Sequence, residues 1–324
     1  MGCRRPPVHV CVSGAGSNGP AGRRAVLRRA ASLLAALALA GCAARPGSPT
    51  RASGHDGPPH EAFAADLLLI GEIHDNAAQH RRRLQWLEAI AGHRRVAIAL
   101  EQLDAARQDD LDRARAADAG STDSLPVRAR RLAEAAGFDF RGWDWPFYGP
   151  VIELALRREL PLVAANLSRS ESVAVARGRA PAAPEPAGWG SEERRALEDA
   201  IRDGHCGTLP ESMIAPMAAA QRTRDARMAR SLVDARRRGG LPVVLLAGNG
   251  HVRRDIGVPS YLAGLLPQDR VFVIGMVESR EGRSSAFDHA ELTEAAVRED
   301  PCRALRAAMP PSRDAGDRTE PSPR

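Results

Sequence analysis

Several features that would assign the chain to a familiar class of protein are missing from its 324 residues. It contains no HExxH motif and no G-x-S-x-G turn, so it lacks the usual sequence marks of a zinc peptidase and of a serine hydrolase. Lysine is absent, and aromatic residues make up only 4%. Arginine therefore supplies all 46 basic side chains, which give the sequence an isoelectric point of about 9.7.

This basic character does not indicate a nucleic-acid partner. Residues 1–41 hold six of the arginines and no acidic residue. Without that segment, 40 basic side chains face 40 acidic ones. The remainder of the chain is nearly neutral, which excludes the electrostatic attraction on which nucleic-acid binding depends.

The N-terminal segment has the pattern of a bacterial lipoprotein signal peptide. Paired arginines precede an apolar stretch, Ala30 to Ala40, that is too short to span a bilayer. The stretch ends in the letters LAGC, where small residues precede a cysteine as in a lipobox. We predict cleavage after residue 41 and lipidation of Cys42. The alternatives are an ordinary secretory signal with a chance cysteine and, given the arginine pairs, twin-arginine export.

Two of the five cysteines remain once Cys3 and Cys11 are removed with the signal peptide and Cys42 carries lipid. These are Cys206 and Cys302, in a compartment that permits disulfides. They are candidates for pairing with each other. The alternative is a reactive or metal-binding thiol, and the sequence leaves both interpretations open.

The rest of the chain divides into three parts by composition. Residues 42–62 are rich in proline, glycine, serine and histidine, which predicts a flexible tether. Residues 63–300 alternate short apolar runs with helical patterns, and residues 301–324 are polar enough to predict a disordered tail. The middle part is therefore predicted to be an α/β domain.

Strands separated by helices predict a mostly parallel sheet flanked by helices. The predicted strands are Leu67–Ile70, Val96–Leu100, Leu162–Ala165, Val243–Ala247 and Val271–Ile274, with Phe138–Trp143 as a further candidate. The predicted helices are Gln79–Ala91, Gln108–Ala117, Leu125–Ala136, Pro150–Arg158, Ser191–Asp203 and Pro210–Arg238.

One gap between predicted strands is too long for a single crossover. We interpret residues 188–240 as a helical insertion that forms a lid over one end of the sheet. Ser191 is its predicted first N-cap, and Thr208 with Glu211 has the spacing of a capping box. Pro216 is expected to kink the second helix or to move its start downstream.

Three predicted strands lead into polar residues, and the carboxyl ends of parallel strands meet at one edge of a sheet. We therefore predict a ligand pocket at this edge. Two histidines with carboxylates suit a divalent metal or a site that transfers protons. The alternative is that these groups cap helices and pair with one another, with Asp75 or Asn76 as an N-cap and Glu101 beside an arginine. The predicted pocket residues are Glu72, His74, Asp75, Glu101, Asn249 and His251.

Six separated motifs, in order between Ala65 and Val277, resemble the ChaN-like family of haem-binding lipoproteins, within a superfamily that includes Tiki and TraB proteins. The resemblance implies an α/β core with a helical subdomain and haem binding linked to iron uptake. The motifs are LLLIGEIHDNAAQH, ALEQ, GWDWPFYGPVIELALRRELPLVAANLSR, GHCGTLP, AQRTRDARMA and LLAGNGHVRRDIGVPSYL.

Tiki-like members imply a second function, metal-dependent proteolysis. In that hypothesis His74, Glu101 and His251 bind a divalent metal, and Glu72 is the general base. We favour the haem-binding protein over the enzyme and keep the hydrolase as the alternative. A solute-binding lipoprotein for another small ligand fits the lid and tether equally well.

Haem needs an axial ligand, an apolar slot and cations for its propionates. The candidate ligands are Tyr148, Tyr261 and His205. Three methionines share one predicted face of the second insertion helix and would line the base of the slot. The alternatives are that the methionines are ordinary core and that Tyr148 is the tip of an aromatic cluster. The methionines are Met213, Met217 and Met228.

The haem hypothesis also predicts partners and a location. The chain would be held at the membrane by its lipid anchor, and Ala43 lacks the aspartate that retains lipoproteins at the inner membrane. We therefore expect the outer membrane, facing the periplasm or the surface. An outer-membrane haem receptor and a second copy of the chain are candidate partners, and no nucleic acid is expected.

Overall fold

The computed structural model describes residues 57–279, 286–300 and 302–303. The predicted signal peptide, Cys42 and most of the predicted tether and tail lie outside these residues. Among the helices in the described part of the chain, none has both the length and the apolar character needed to cross a membrane.

Six strands form one sheet in the order β3-β2-β4-β1-β5-β6, and every neighbouring pair is parallel. This confirms the predicted α/β fold with a mostly parallel sheet. The strands are β1 Leu67–Glu72, β2 Ala97–Asp104, β3 Leu162–Asn166, β4 Val243–Gly248, β5 Val271–Val277 and β6 His289–Leu292.

Helices fill the connections between the first five strands, and a short 3-10 turn, Ala105–Arg107, follows β2. The helices are α1 His60–Ala64, α2 Ala77–His93, α3 Gln108–Ala117, α4 Leu125–Ala135, α5 Trp145–Arg157, α6 Arg169–Ala176, α7 Ser191–Gly204, α8 Glu211–Gly239, α9 Asn249–Val252 and α10 Val258–Leu262. Helix α1 begins inside the range predicted as tether.

The strands separate two cores. Leu68 and Ile70 of β1 pack on one side with α2, α4 and α5, whereas Leu67 and Leu69 pack on the other side with α8 and α10. A central parallel strand is buried on both faces, so its sequence is one continuous apolar run. This is why apolar runs located β1 and β4 correctly.

Residues 138–143 form turns rather than the strand that was a further candidate. The Asp139 carboxylate accepts the Arg141 N–H at 3.0 Å, and its carbonyl accepts two later N–H groups, which closes the turn. Phe138 packs against Phe140 and Trp145 instead of pairing with a strand. The aromatic residues therefore form a cluster at the start of α5, as the alternative interpretation of Tyr148 proposed.

The insertion helices begin differently from the prediction. Gly190, rather than Ser191, precedes α7, and its N–H donates to the Glu193 carboxylate at 2.7 Å. The Thr208 hydroxyl donates to the His205 carbonyl at 2.6 Å, so it does not cap α8. Helix α8 starts at Glu211 and continues through Pro216, which lies in its second turn.

Helix α8 has two parts with different partners. Its first part packs with α7 around a small third core that includes Leu197, Ile214 and Ala218. Its second part places Met228 and Leu232 in the main core beneath the sheet. Only the first part is a lid over the sheet end, and the second part is a layer of the domain.

Residues 293–300 with Cys302, which we call the C-terminal strap, run from β6 back to the insertion. The Asn76 amide donates to the Glu294 carbonyl at 2.8 Å, and Arg298 pairs with Asp75 at 2.7 Å and with Glu278 at 2.6 Å. The strap ends in a disulfide between Cys302 and Cys206, in the link between α7 and α8.

Candidate functional site

Glu72, at the end of β1, lies in a buried ion pair. Its carboxylate contacts the Arg83 guanidinium and accepts the Tyr148 hydroxyl at 2.6 Å. Arg83 is fully buried, also donates to the Phe147 carbonyl at 3.2 Å, and has its pKa lowered to about 10 by that burial. These contacts stabilise the domain and leave Glu72 unavailable as a general base.

Tyr148 is consequently not exposed to a ligand. Its side chain is buried among Phe138, Trp143 and His80, and burial raises the pKa of its hydroxyl. His80 stacks on Phe147 at 4.1 Å between ring centres. Burial lowers the pKa of His80 to about 4, so its neutral ring donates from Nε2 to the His74 carbonyl at 2.9 Å.

A second buried cluster joins β2, the end of β4, α8 and α9. His251 contacts Asp225 through Nδ1 at 2.5 Å and Glu101 through Nε2 at 3.2 Å. Glu101 also contacts Arg224 at 2.5 Å and accepts the Gly248 N–H at 2.8 Å. Glu101 therefore lies beside an arginine, as the alternative interpretation expected.

The charges of this cluster stabilise one another. Burial disfavours a charged His251, but Glu101 and Asp225 outweigh it and raise the histidine pKa to about 9. Burial also opposes ionisation of Glu101, whose pKa is nevertheless held well below its usual range by His251 and Arg224. At neutral pH the cluster therefore contains an imidazolium paired with the Glu101 carboxylate, while burial raises the pKa of Asp225 on the other side of the ring.

His74 lies nearby but separately. Its ring is half-exposed, contacts Glu72 through Nδ1 at 3.2 Å and meets the edge of Trp143 at 4.8 Å. Its pKa is lowered, mainly by burial. A Cβ on Gly248 would lie 2.7 Å from His74 Nε2, so glycine at that position permits the close approach of the histidine.

The other predicted pocket residues have structural partners. Asp75 is exposed and pairs with Arg298, and the Asn249 amide donates to the Met276 carbonyl at 2.6 Å. Asn76 caps α2 by accepting the Gln79 N–H at 3.0 Å, as the alternative interpretation allowed.

The hypothesis of a divalent metal is not supported. Across residues 57–279, 286–300 and 302–303, no three His, Cys, Asp or Glu side chains are placed to hold a metal ion. Both ring nitrogens of His251 contact carboxylates, and Glu101 contacts both His251 and Arg224. Two of the three ligands in that hypothesis, His251 and Glu101, are therefore already engaged with other protein groups.

A cavity of about 460 Å³ lies at the ends of β2 and β3, beneath the insertion. We call it the insertion cavity, and its size is typical of small-molecule sites. Glu101 lies in its wall and links it to the buried cluster. Its wall combines aromatic, thioether, imidazole, amide and guanidinium side chains, which belong to Trp143, Arg169, His205, Met217, Gln221 and Arg224.

Of the predicted haem residues, His205 and Met217 line this cavity. The Nδ1 of His205 lies 2.8 Å from the Ile201 carbonyl, and a carbonyl only accepts, so Nδ1 carries the proton. In the neutral ring, Nε2 then keeps a lone pair, and no residue that the structure describes donates a hydrogen bond to it.

The remaining haem candidates lie elsewhere. The Tyr261 hydroxyl donates to the Pro184 carbonyl at 3.2 Å, outside the cavity. Met213 is exposed on α8, whereas Met228 is fully buried in the core. The three methionines therefore do not line one slot together. For Met228 the alternative, an ordinary core residue, is correct.

Sequence reasoning missed three residues around the site. Asp225 lies in the middle of α8, where no strand end draws attention to it. Arg169 opens α6 on the cavity wall and has no hydrogen bond or ion pair with any described residue. Gln102 is 4% exposed in the same wall, and within the described part of the chain neither its amide nitrogen nor its oxygen has a hydrogen-bond partner. An unpaired buried polar group costs about 1–3 kcal/mol.

Comparisons with known proteins identify a matching family and a similar solved structure. Residues 60–262 match a family model described as haem-binding uptake, Tiki superfamily, ChaN. The structure is similar to ChaN of Campylobacter jejuni, solved with cofacial haem binding, at 26% identity and a TM-score of 0.57 over 67% of this chain and 83% of that one. No curated protein matches the chain.

Two further solved structures are similar only at low scores, so no argument rests on them. The type III effector HopBA1 has 10% identity and a TM-score of 0.38 over 72% of this chain and 90% of its own. A mutant of the erythromycin esterase EreC has 14% identity and a TM-score of 0.38 over 67% of this chain and 71% of its own.

Proposed function

Because the chain belongs to the haem-binding uptake family of the Tiki superfamily that includes ChaN, we propose that it binds haem in the insertion cavity, with His205 as the iron ligand. The observation that carries this proposal is the free Nε2 of His205, whose Nδ1 is held by the Ile201 carbonyl. Neutral imidazole oriented by such a hydrogen bond is a common ligand of haem iron.

The other walls of the cavity fit the same ligand. Val173, Ile201 and Met217 offer apolar surface to a macrocycle, and the Trp143 ring adds an aromatic edge. The Met217 thioether is also a candidate for the second axial position. Bound haem would supply an iron centre and two carboxylates, and the protein would supply the pocket that holds and orients them.

A homodimer is the assembly that we propose for this function. ChaN of Campylobacter jejuni binds haem cofacially. Two copies of the present chain that brought their cavities together would give haem the same arrangement. Measuring the mass of the haem-loaded protein in solution tests this part of the proposal independently of the haem ligand.

The location is proposed from the N-terminal residues. Lipid on Cys42 would hold the domain at the outer membrane through the segment that follows the cysteine. There the protein would take part in haem acquisition and pass haem to or from a receptor in that membrane. Cys42→Ser is expected to move the protein out of the membrane fraction or to leave its precursor uncleaved.

Titration of the purified full chain with haemin tests the haem proposal. We expect saturable binding with a Soret band that shifts in His205→Ala, because loss of an axial ligand changes the coordination of iron. His60→Ala is the matched control, since His60 is exposed at the start of α1 and lies outside the cavity.

The two parts of the proposal fail in different ways. Absence of saturable haemin binding in the wild-type chain would refute the function. Tight binding with spectra that are identical in wild type, His205→Ala and His60→Ala would keep the function and exclude His205 as the ligand.

A further inference from the structure

The insertion cavity contains two arginines with different electrostatic surroundings. The Arg224 guanidinium contacts the Glu101 carboxylate at 2.5 Å, so its charge is compensated. Arg169 lines the same cavity but has no ion pair or hydrogen bond with any residue that the structure describes. Arg169 is thus an exposed cation at the cavity wall with which no described carboxylate forms an ion pair.

The strand next to Arg169 is irregular at the cavity. Leu100 pairs with Ala164, and Asp104 pairs with Asn166, so β2 uses four residues where β3 uses two. Such a bulge takes residues out of the regular ladder and changes the direction of their side chains. Gln102 lies within this bulge and is 4% exposed in the cavity wall, and its carboxamide has no hydrogen bond with any described residue.

We propose that Arg169 and Gln102 form a site for a carboxylate of the bound ligand. This site rests on the proposed function, because in haem the carboxylate is a propionate. Arg169 is the first residue of α6 and lies three residues after Asn166. Asn166 is the β3 residue that pairs with Asp104 at the end of the bulge. Both residues therefore line the cavity close to the register shift between β2 and β3. A guanidinium matches a carboxylate in charge and shape, and a carboxamide N–H₂ donates to the same oxygens.

Three carboxylates also line the cavity. Glu101 contacts Arg224 and His251, and Asp104 and Asp139 accept hydrogen bonds from the backbone N–H groups of Ala106 and Arg141. Arg169 is the lining arginine that has no ion pair with a described residue, so a ligand carboxylate is expected to bind there.

A comparison of haemin with haemin dimethyl ester tests the site, because esterification removes both carboxylate charges and leaves the macrocycle and iron unchanged. In the full chain, Arg169→Gln is expected to weaken haemin binding by about ten-fold to a hundred-fold, the range for losing a hydrogen bond to a charged group. The same variant should bind the dimethyl ester as tightly as wild type does. Gln102→Met should weaken haemin binding by a smaller factor without moving the Soret band.

One further variant serves as a control. Arg177→Gln removes an exposed arginine that follows α6 and does not line the cavity, so its affinity for haemin should equal that of wild type.

Each outcome has a distinct meaning. Equal haemin affinities in Arg169→Gln, Arg177→Gln and wild type would overturn the proposed site while leaving haem binding intact. An equal loss for haemin and for the dimethyl ester would also overturn it, because the effect would then not depend on the carboxylates. If wild type bound neither porphyrin, the proposed function itself would have failed.

Discussion

His251 connects two carboxylates across the buried end of the sheet, and this arrangement makes stability depend on pH. The folded pKa of His251, about 9, lies above the value of 6.5 for a free histidine. Its stabilising contribution is therefore complete below pH 6.5 and is lost as the pH rises through 9. The chain has no lysine, so few other groups titrate in this interval.

We therefore expect the free energy of unfolding to fall between pH 6.5 and pH 9.5, by on the order of 2–3 kcal/mol. Urea denaturation at several pH values measures this fall. The slope should largely disappear in His251→Gln, whereas His289→Gln, which replaces a partly exposed histidine on β6, should retain it. An equally steep slope in both variants would contradict the assignment to His251.

The same residues show which part of the site was predictable. Glu72, His74, Glu101 and His251 each end or closely follow an apolar run, so the sequence pattern located them. Their partners were not predictable in the same way. Asp225 is buried only because α8 packs on the sheet, and the unpaired state of Gln102 depends on how β2 pairs with β3.

At the scale of single elements, α8 shows that one helix can serve two purposes along its length. Met228 belongs to the part beneath the sheet and is fully buried, whereas Met213 belongs to the first turn and is exposed. Their spacing along the helix predicts a common face, but the neighbours of that face change along the helix.

We expect Met228→Ala to lower the free energy of unfolding by about 2–5 kcal/mol, because it leaves a cavity in the core. Met213→Ala is the matched control and should change it by less than about 0.5 kcal/mol. Thermal or urea unfolding measures both. Equal effects of the two substitutions would show that the described packing of α8 is wrong.

The strands and helices were predictable to different extents for physical reasons. Buried strands such as β1 and β4 are continuous apolar runs, and the helices of the insertion carry charged residues in their first turns. Strand β6 has only four residues and a mixed burial pattern, so no run or alternation marks it. The segment 138–143 was a strand candidate because of its aromatic residues, which pack locally in turns instead.

At the scale of the whole molecule, the disulfide joins the C-terminal strap to the insertion across a sequence separation of 96 residues. Closing a loop of that length restricts the unfolded chain and stabilises the fold by about 4–5 kcal/mol in the chain-entropy model. The pairing was one of two open interpretations of the sequence, because the sequence does not give the distance between Cys206 and Cys302.

We expect the double substitution Cys206→Ser with Cys302→Ser to lower the free energy of unfolding by several kcal/mol. Wild-type protein with a thiol reductant should show a similar loss, whereas the reductant should not affect the double variant. Urea denaturation with and without reductant measures these differences. Unchanged stability in the double variant would contradict a stabilising role for the bond.

The disulfide also determines how the chain responds to mechanical force. Tension applied to both ends passes through the bond between Cys206 and Cys302 and bypasses the residues enclosed by it. About 330 Å of contour length, at roughly 3.4 Å for each enclosed residue, stays hidden until the bond is reduced. Helix α8 and strands β4, β5 and β6 would therefore bear no load even when the rest of the protein has been pulled straight.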